Sequence, residues 1–185
     1  MTKEEIINQL IEDNGYTAYL EIGYGDGYCF NQIECESKVA VDPNINGTPG
    51  VMCLSSDELF AGEMWPVDIV FIDGLHHAEQ VRKDINNACK HLSETGAIIL
   101  HDTYPHSEEM QEVPRKVKNW TGDCWRAAVG FIAKYPNVVV RTHKCDYGLT
   151  IIFPAGMKPR AKYESDMSYQ EFDKKRDILL NVVRD

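Results

Sequence analysis

Four residues in two short segments carry the most chemistry in this 185-residue chain. They are Asp73 and His76 in Phe71-Ile72-Asp73-Gly74-Leu75-His76, and His101 and Asp102 in Ile99-Leu100-His101-Asp102-Thr103. Each segment opens with apolar residues that read as a buried strand, so the polar residues fall at strand ends. Two carboxylates at adjacent strand ends can share a hard cation such as Mg²⁺. An ion there could bind a hydroxyl oxygen and lower its pKa, and a nearby imidazole could take the proton. Blander explanations stand beside these. Asp73-Gly74 is a good turn, Asp102 a good cap, and an isolated histidine is more often structural than catalytic. Two Asp and two His at two strand ends are harder to explain in that way.

A second feature lies upstream, in the turn Glu21-Ile22-Gly23-Tyr24-Gly25-Asp26-Gly27. Glycines between a strand and a helix let the backbone approach a ligand closely. The spacing is G-x-G-x-G. A dinucleotide fingerprint would need its third glycine at position 28, which is Tyr28, and no Gly-Lys-Ser/Thr follows as in a P-loop. Asp42 ends the next strand, where a carboxylate can accept hydrogen bonds from ribose hydroxyls. Asp42-Pro43 also suits a plain turn.

Leu20-Glu21-Ile22-Gly23-Tyr24-Gly25-Asp26-Gly27 resembles the first motif of class I S-adenosylmethionine methyltransferases. The resemblance spans about residues 18–153. It implies that Glu21, Gly23, Tyr24, Gly25 and Gly27 hold the methionine end of S-adenosylmethionine, with Asp73 beside them, and that Asp42 holds the ribose. Ser55-Ser56 resembles the adenine-contacting loop of the small-molecule O-methyltransferases, and is equally a helix N-cap. Asp73 with His76 resembles the macrolide-sugar O-methyltransferases, where an Asp is followed by a His base. Catechol O-methyltransferases carry Lys at that offset. Both groups place an Asp at the position of Asp102. The sugar enzymes carry Glu where this chain has His101, and the catechol enzymes Asn where it has Thr103. The implied roles are His76 as base and Asp73, His101 and Asp102 as metal ligands. A histidine ligand favours Mn²⁺, Fe²⁺ or Zn²⁺ over Mg²⁺.

The elements that must position these residues are legible as alternating strands and helices. Thr2 and Glu5 suggest a capping box opening a helix over 3–14. Strands are expected at 18–22, 38–42, 51–54, 67–72, 97–100, 138–140 and 149–153. Helices are expected at 28–36, from Ser55-Ser56 onward, at 77–92, at 123–135 with Asp123 as N-cap, and at 168–183. The implied fold is α/β: a doubly wound, mostly parallel, seven-stranded Rossmann-like sheet with one antiparallel edge strand and helices on both faces. One domain, 1–185, would comprise the N-terminal helix, a core over 18–153 and a helical tail over 155–185 in which Tyr169, Phe172, Ile178, Leu179 and Val182 pack on the domain or on another subunit. Trp120 and Trp125 could wall a pocket or fill the core, and residues 105–118 could form a substrate lid or a solvated loop.

Composition narrows the function. The net charge of −10 argues against a nucleic-acid partner, since phosphate binding needs clustered Lys and Arg. No apolar run is long enough to span a membrane, and the acidic start lacks a signal-peptide core. Six cysteines without a C-x-x-C pair suggest reduced thiols and a cytoplasmic setting. The expectation is methylation of a hydroxyl on a sugar or similar small molecule, assisted by Mg²⁺ or Mn²⁺, with a homo-oligomer left open. A metal-independent methyltransferase, a non-catalytic S-adenosylmethionine-binding protein and, less well supported, a metal hydrolase are the rivals.

Overall fold

In the computed structural model, residues 1–159 and 167–183 are described. Seven strands form one sheet: β1 (Ala18–Ile22), β2 (Ser37–Val41), β3 (Val51–Met52), β4 (Val67–Ile72), β5 (Leu92–Leu100), β6 (Val139–His143) and β7 (Leu149–Phe153). Their order is β3-β2-β1-β4-β5-β7-β6. β3, β2, β1, β4 and β5 run parallel, and β7 pairs antiparallel with both β5 and β6. The expected hairpin is present, but the antiparallel strand lies one place in from the edge. Its Ile151 and Ile152 are too apolar to leave open, so β7 takes the buried position beside β5 and the half-exposed β6 becomes the rim.

The helices are α1 (Lys3–Asn14), α2 (Tyr28–Gln32), α3 (Ser56–Ala61), α4 (Ala78–His91), α5 (Cys124–Lys134), α6 (Tyr169–Asp173) and α7 (Arg176–Leu179). Strand side chains alternate between two cores, as a period of two requires. Leu20, Ile22, Val70, Ile72, Ile98 and Leu100 face α3, α4, α5 and α6. Tyr19, Ile69, Phe71 and Ile99 face α1 and α2, where Ile6, Ile7, Ile11 and Phe30 meet them. A sheet covered on both faces leaves the ends of its strands as the place for polar chemistry.

Several local expectations are met and several change. The Thr2–Glu5 capping box opens α1. Asp123 precedes α5 but does not cap it. Its carboxylate accepts instead from the Ala78 N–H, 2.6 Å away, and so caps α4. The C-terminal stretch is two short helices rather than one. Phe172 and Leu180 are buried there, while Ile178, expected to pack, is 80% exposed. Residues 160–166 and 184–185 of the expected tail lie outside the described residues. Beyond α7, the Thr142 N–H bonds the Asn181 carbonyl and the Val183 N–H bonds the Thr142 carbonyl, which lays the chain along β6. All six cysteines are free, and Cys53 is exposed. Among the described residues no helix is long and apolar enough to cross a membrane.

The apolar spacing of α4 conceals one polar residue, Asp84, which is buried. Gln80 donates to Asp84, Ser56 and Asp57, tying α4 to α3. Burial lifts the Asp84 carboxyl from 3.8 to about 6. The folded chain therefore holds this proton more tightly than the unfolded chain. Its contribution is most favourable below the ordinary pKa and is lost as pH rises towards about 6. Asp84→Asn keeps the acceptor for Gln80 and removes that loss. The variant should be more stable at neutral pH by on the order of 1–3 kcal/mol, with no gain at pH 4, as measured by urea melts at both values.

Candidate functional site

Four loops meet where the strand order reverses between β1 and β4. The backbone ladder continues one residue beyond each strand. The Gly23 N–H bonds the Val41 carbonyl at 2.9 Å, the Asp73 N–H bonds the Ile22 carbonyl at 2.8 Å, and the His101 N–H bonds the Ile72 carbonyl at 3.1 Å. These bonds fix Gly23, Asp73 and His101 side by side. Gly23 has φ +94°, and a Cβ there would collide with the Asp73 carbonyl, so only glycine lets the two strand ends come this close.

A cleft of about 440 Å³ opens at this point, lined by Gly23, Gly25, Asp42, Ser55, Ser56 and Asp73 among others. Asp42 accepts from the Gly25 N–H at 3.3 Å and the Asn44 N–H at 2.9 Å, which orients a half-buried carboxylate with acceptor capacity to spare. Ser55 caps α3 in a box with Glu58, and both serines line the cleft. A smaller lobe of about 250 Å³ shares Gly23, Gly25 and Asp73 with this cleft and adds Lys3, Glu21 and Tyr24. Glu21 is 1% exposed and accepts from the Tyr19 hydroxyl. Burial pushes its carboxyl up to about 7 against that bond. Gly27 lines neither lobe. It packs against the Tyr24 ring.

Beside the cleft the ionisable residues converge. His76 Nε2 lies 3.4 Å from Asp73 Oδ1, and its Nδ1 lies 3.2 Å from Asp102 Oδ2 and 3.3 Å from the Trp120 carbonyl. His101 Nδ1 lies 3.0 Å from Asp73 Oδ1 and 3.4 Å from Asp102 Oδ2. Among the described residues, Asp73, His76 and Asp102 form a compact set of donors whose atoms lie within 4.8 Å of one another. His101, expected as the third ligand, faces the same carboxylates but also reaches Asp146 Oδ2 at 3.2 Å through Nε2. Thr103 is buried and bonds Thr150, so it takes no part. Asp102 sits at φ +57°, a region Asp tolerates better than most residues and one that gathers at functional sites.

Two residues here carried no sequence signal. Asp146 lies in a turn with Tyr147 and Gly148, all at positive φ. The turn is drawn in because the Thr103 and Tyr104 N–H groups bond the Gly148 and Tyr147 carbonyls. Lys3 reaches across from α1 to lie 3.0 Å from Asp146 Oδ2 and 3.7 Å from Asp73 Oδ2. Burial opposes charge on Asp73, but His101, His76 and Lys3 outweigh it and hold the carboxyl well below the usual range. Burial likewise opposes the imidazolium forms. The bond to Asp73 and the charges of Asp102 and Asp73 raise His76 above its ordinary value, and Asp73, Asp102 and Asp146 raise His101 well above it.

The two tryptophans separate. Trp125 is core, stacked on Phe172 at 4.1 Å. Trp120 stacks on His76 at 5.3 Å and walls the site. The 105–118 segment is pinned at its middle, where Gln111 accepts from the Trp125 indole and the Met110 carbonyl accepts from Thr121, while residues 113–116 are exposed.

Known proteins share this fold. A family model described as a methyltransferase domain matches residues 39–103. That span begins after the glycine turn, so it supports the resemblance independently of it. No curated protein matches by sequence. Among solved structures, an O-methyltransferase from Bacillus cereus in complex with S-adenosylhomocysteine shares the fold at 16% identity, with a TM-score of 0.57 and 82% of this chain and 80% of that one covered. The methyltransferase PaMTH1 from Podospora anserina, also bound to S-adenosylhomocysteine, aligns at 15% identity and a TM-score of 0.58, covering 82% and 77%. The O-methyltransferase TomG from Streptomyces achromogenes, in complex with S-adenosylmethionine, aligns at 11% identity and a TM-score of 0.57, covering 83% and 80%. The chain thus shares its fold with S-adenosylmethionine-dependent O-methyltransferases, and its residues 39–103 match a methyltransferase-domain model.

Gly122 is the joint between Trp120 and α5. It has φ +56°, and a Cβ there would strike the His76 carbonyl. Gly122→Ala should destabilise the fold by about 2–4 kcal/mol, read from urea denaturation, because a backbone atom cannot yield as a side chain can.

Proposed function

We propose that this chain transfers a methyl group from S-adenosylmethionine to a hydroxyl of a small molecule, a sugar or a compound of similar character, with a divalent ion at Asp73 and Asp102. The observation that carries the reading is the double membership of Asp73: it lines the cleft at the glycine turn and belongs to the His–Asp cluster. Methyl donor and proton acceptor would therefore sit on two sides of one carboxylate.

The residues fit these groups. Asp42 suits ribose hydroxyls, and Ser55, Ser56 and Leu75 line the end where an adenine would lie. S-adenosylmethionine supplies a sulfonium-bound methyl group with S-adenosylhomocysteine as leaving group. Asp73 and Asp102 offer hard oxygen donors, with His101 to complete the set and His76 left free to take a proton. Mg²⁺ or Mn²⁺ held there would supply Lewis-acid chemistry that makes a hydroxyl easier to deprotonate. The Trp120 carbonyl and Asp102 favour a proton on His76 Nδ1, so Nε2 is the nitrogen that would take the acceptor's proton, and once protonated it would donate to Asp73. The acceptor oxygen forms its bond to the methyl carbon as the sulfur–methyl bond breaks, and its proton goes to Nε2. The indole of Trp120 beside His76 suits a ring-shaped acceptor, and the net charge of −10 disfavours a nucleic acid.

His76→Gln should lower kcat at least about 100-fold while leaving the Kd for S-adenosylhomocysteine within about twofold, measured by methyl transfer to a panel of hydroxylated acceptors and by calorimetry. A fully active variant would remove His76 from the reaction. If the wild-type chain binds the cofactor but methylates nothing in a broad panel, it is a binding protein.

A second reading, methyl transfer without a metal, is favoured by one observation. Lys3, His76 and His101 already surround the carboxylates of Asp73, Asp102 and Asp146. Dialysis against a chelator separates the two. Under the metal reading, activity should fall to background and return with Mg²⁺ or Mn²⁺. Under the metal-free reading, activity should survive the chelator. The rate should then rise with pH through a midpoint above 6.5, because only neutral His76 accepts a proton and its carboxylate neighbours raise its pKa.

A further inference from the structure

The smaller lobe of the cleft has a charge pattern that the motif residues do not explain. Its walls bring Glu21 and Asp73 from the strand ends and Asp26 from the glycine turn. Across the described residues that line either lobe, one side chain is cationic, and that is Lys3. It is the first residue of α1, and its place is set by packing: Ile6, Ile7 and Ile11 are buried in the core below the sheet, and the Thr2–Glu5 box holds the helix start. The lysine side chain runs inward, only 14% exposed, to Asp146 and Asp73.

An amino acid held in this lobe presents an ammonium and a carboxylate. The ammonium has Glu21, Asp26 and Asp73 to choose from. A carboxylate among those acids needs a cation close by. We infer that Lys3 is a specificity-determining residue of the lobe, binding the α-carboxylate of the cofactor's methionine portion and so selecting the intact amino-acid nucleoside over a nucleoside that lacks it. The inference rests on the S-adenosylmethionine reading of the cleft. The competing role is a tether that pins α1 to the β6–β7 turn through Asp146.

Calorimetric titration with three ligands separates these roles. S-adenosylhomocysteine carries the free carboxylate, its carboxyl methyl ester lacks that charge, and 5′-methylthioadenosine lacks the amino acid. Lys3→Met should weaken S-adenosylhomocysteine roughly 10–100-fold and leave methylthioadenosine within about twofold. Esterification should cost the wild type a similar factor and cost Lys3→Met almost nothing, the signature of a direct pair. Lys3→Arg should retain most of the preference. Asp146→Asn, which removes the tether and lies outside the lobe, should keep it too. Equal losses for all three ligands in Lys3→Met, or no loss for any, would overturn the inference while leaving the cofactor reading intact. A wild-type chain that binds none of the three would overturn the cofactor reading, and this inference with it. Should Lys3→Met not fold, the cost of the ester in the wild type decides alone: a negligible cost overturns the inference.

Discussion

The site depends on three backbone hydrogen bonds that run past the formal ends of the strands. They join Gly23 to Val41, Asp73 to Ile22, and His101 to Ile72. Each belongs to the parallel ladder, so each inherits the rigidity of a sheet covered on both faces. Side chains one residue beyond such a ladder have little freedom to wander. This is why a histidine and a carboxylate 28 positions apart in the chain can meet at 3.0 Å with no special device between them. The loops that follow add reach and chemistry, but the alignment comes from the register.

Charge supplies the second constraint. Asp73, Asp102 and Asp146 lie close together, a costly arrangement unless something compensates them. Lys3, His76 and His101 do so from three directions. The compensating groups come from α1, from the loop before α4 and from the end of β5. Segments far apart in sequence thus contribute to one electrostatic balance. Binding a cation or moving a proton at one member alters the conditions for all.

What could be read in the sequence follows from which forces are local. Strand ends are marked by apolar runs that stop at Asp73 or His101, so the core of the site was visible from residue types alone. The turn at Gly23 and the helix start at Ser55 declare themselves through backbone and capping rules. Lys3 and Asp146 did not, because nothing near them in sequence says where their tips arrive. Lys3 is a surface-type residue on an amphipathic helix until the helix is laid across the strand ends. Asp146 reads as part of a hairpin loop until Thr103 and Tyr104 bond that loop. Asp123 shows the same limit at smaller scale: its type announced a cap, and only the fold chose which helix received it. The exchange of places between β6 and β7 turned on the relative burial of two adjacent strands, which spacing does not encode.

The chain beyond α7 runs along β6 through bonds between Thr142 and the Asn181–Val183 stretch. β6 is the outer strand of a seven-stranded sheet, and an open row of backbone donors and acceptors there would be a template for strands of other molecules. The last described residues occupy part of that row themselves. Resistance to self-assembly is therefore built into a segment remote from the chemistry, and shortening the chain at that end would endanger solubility before it touched catalysis.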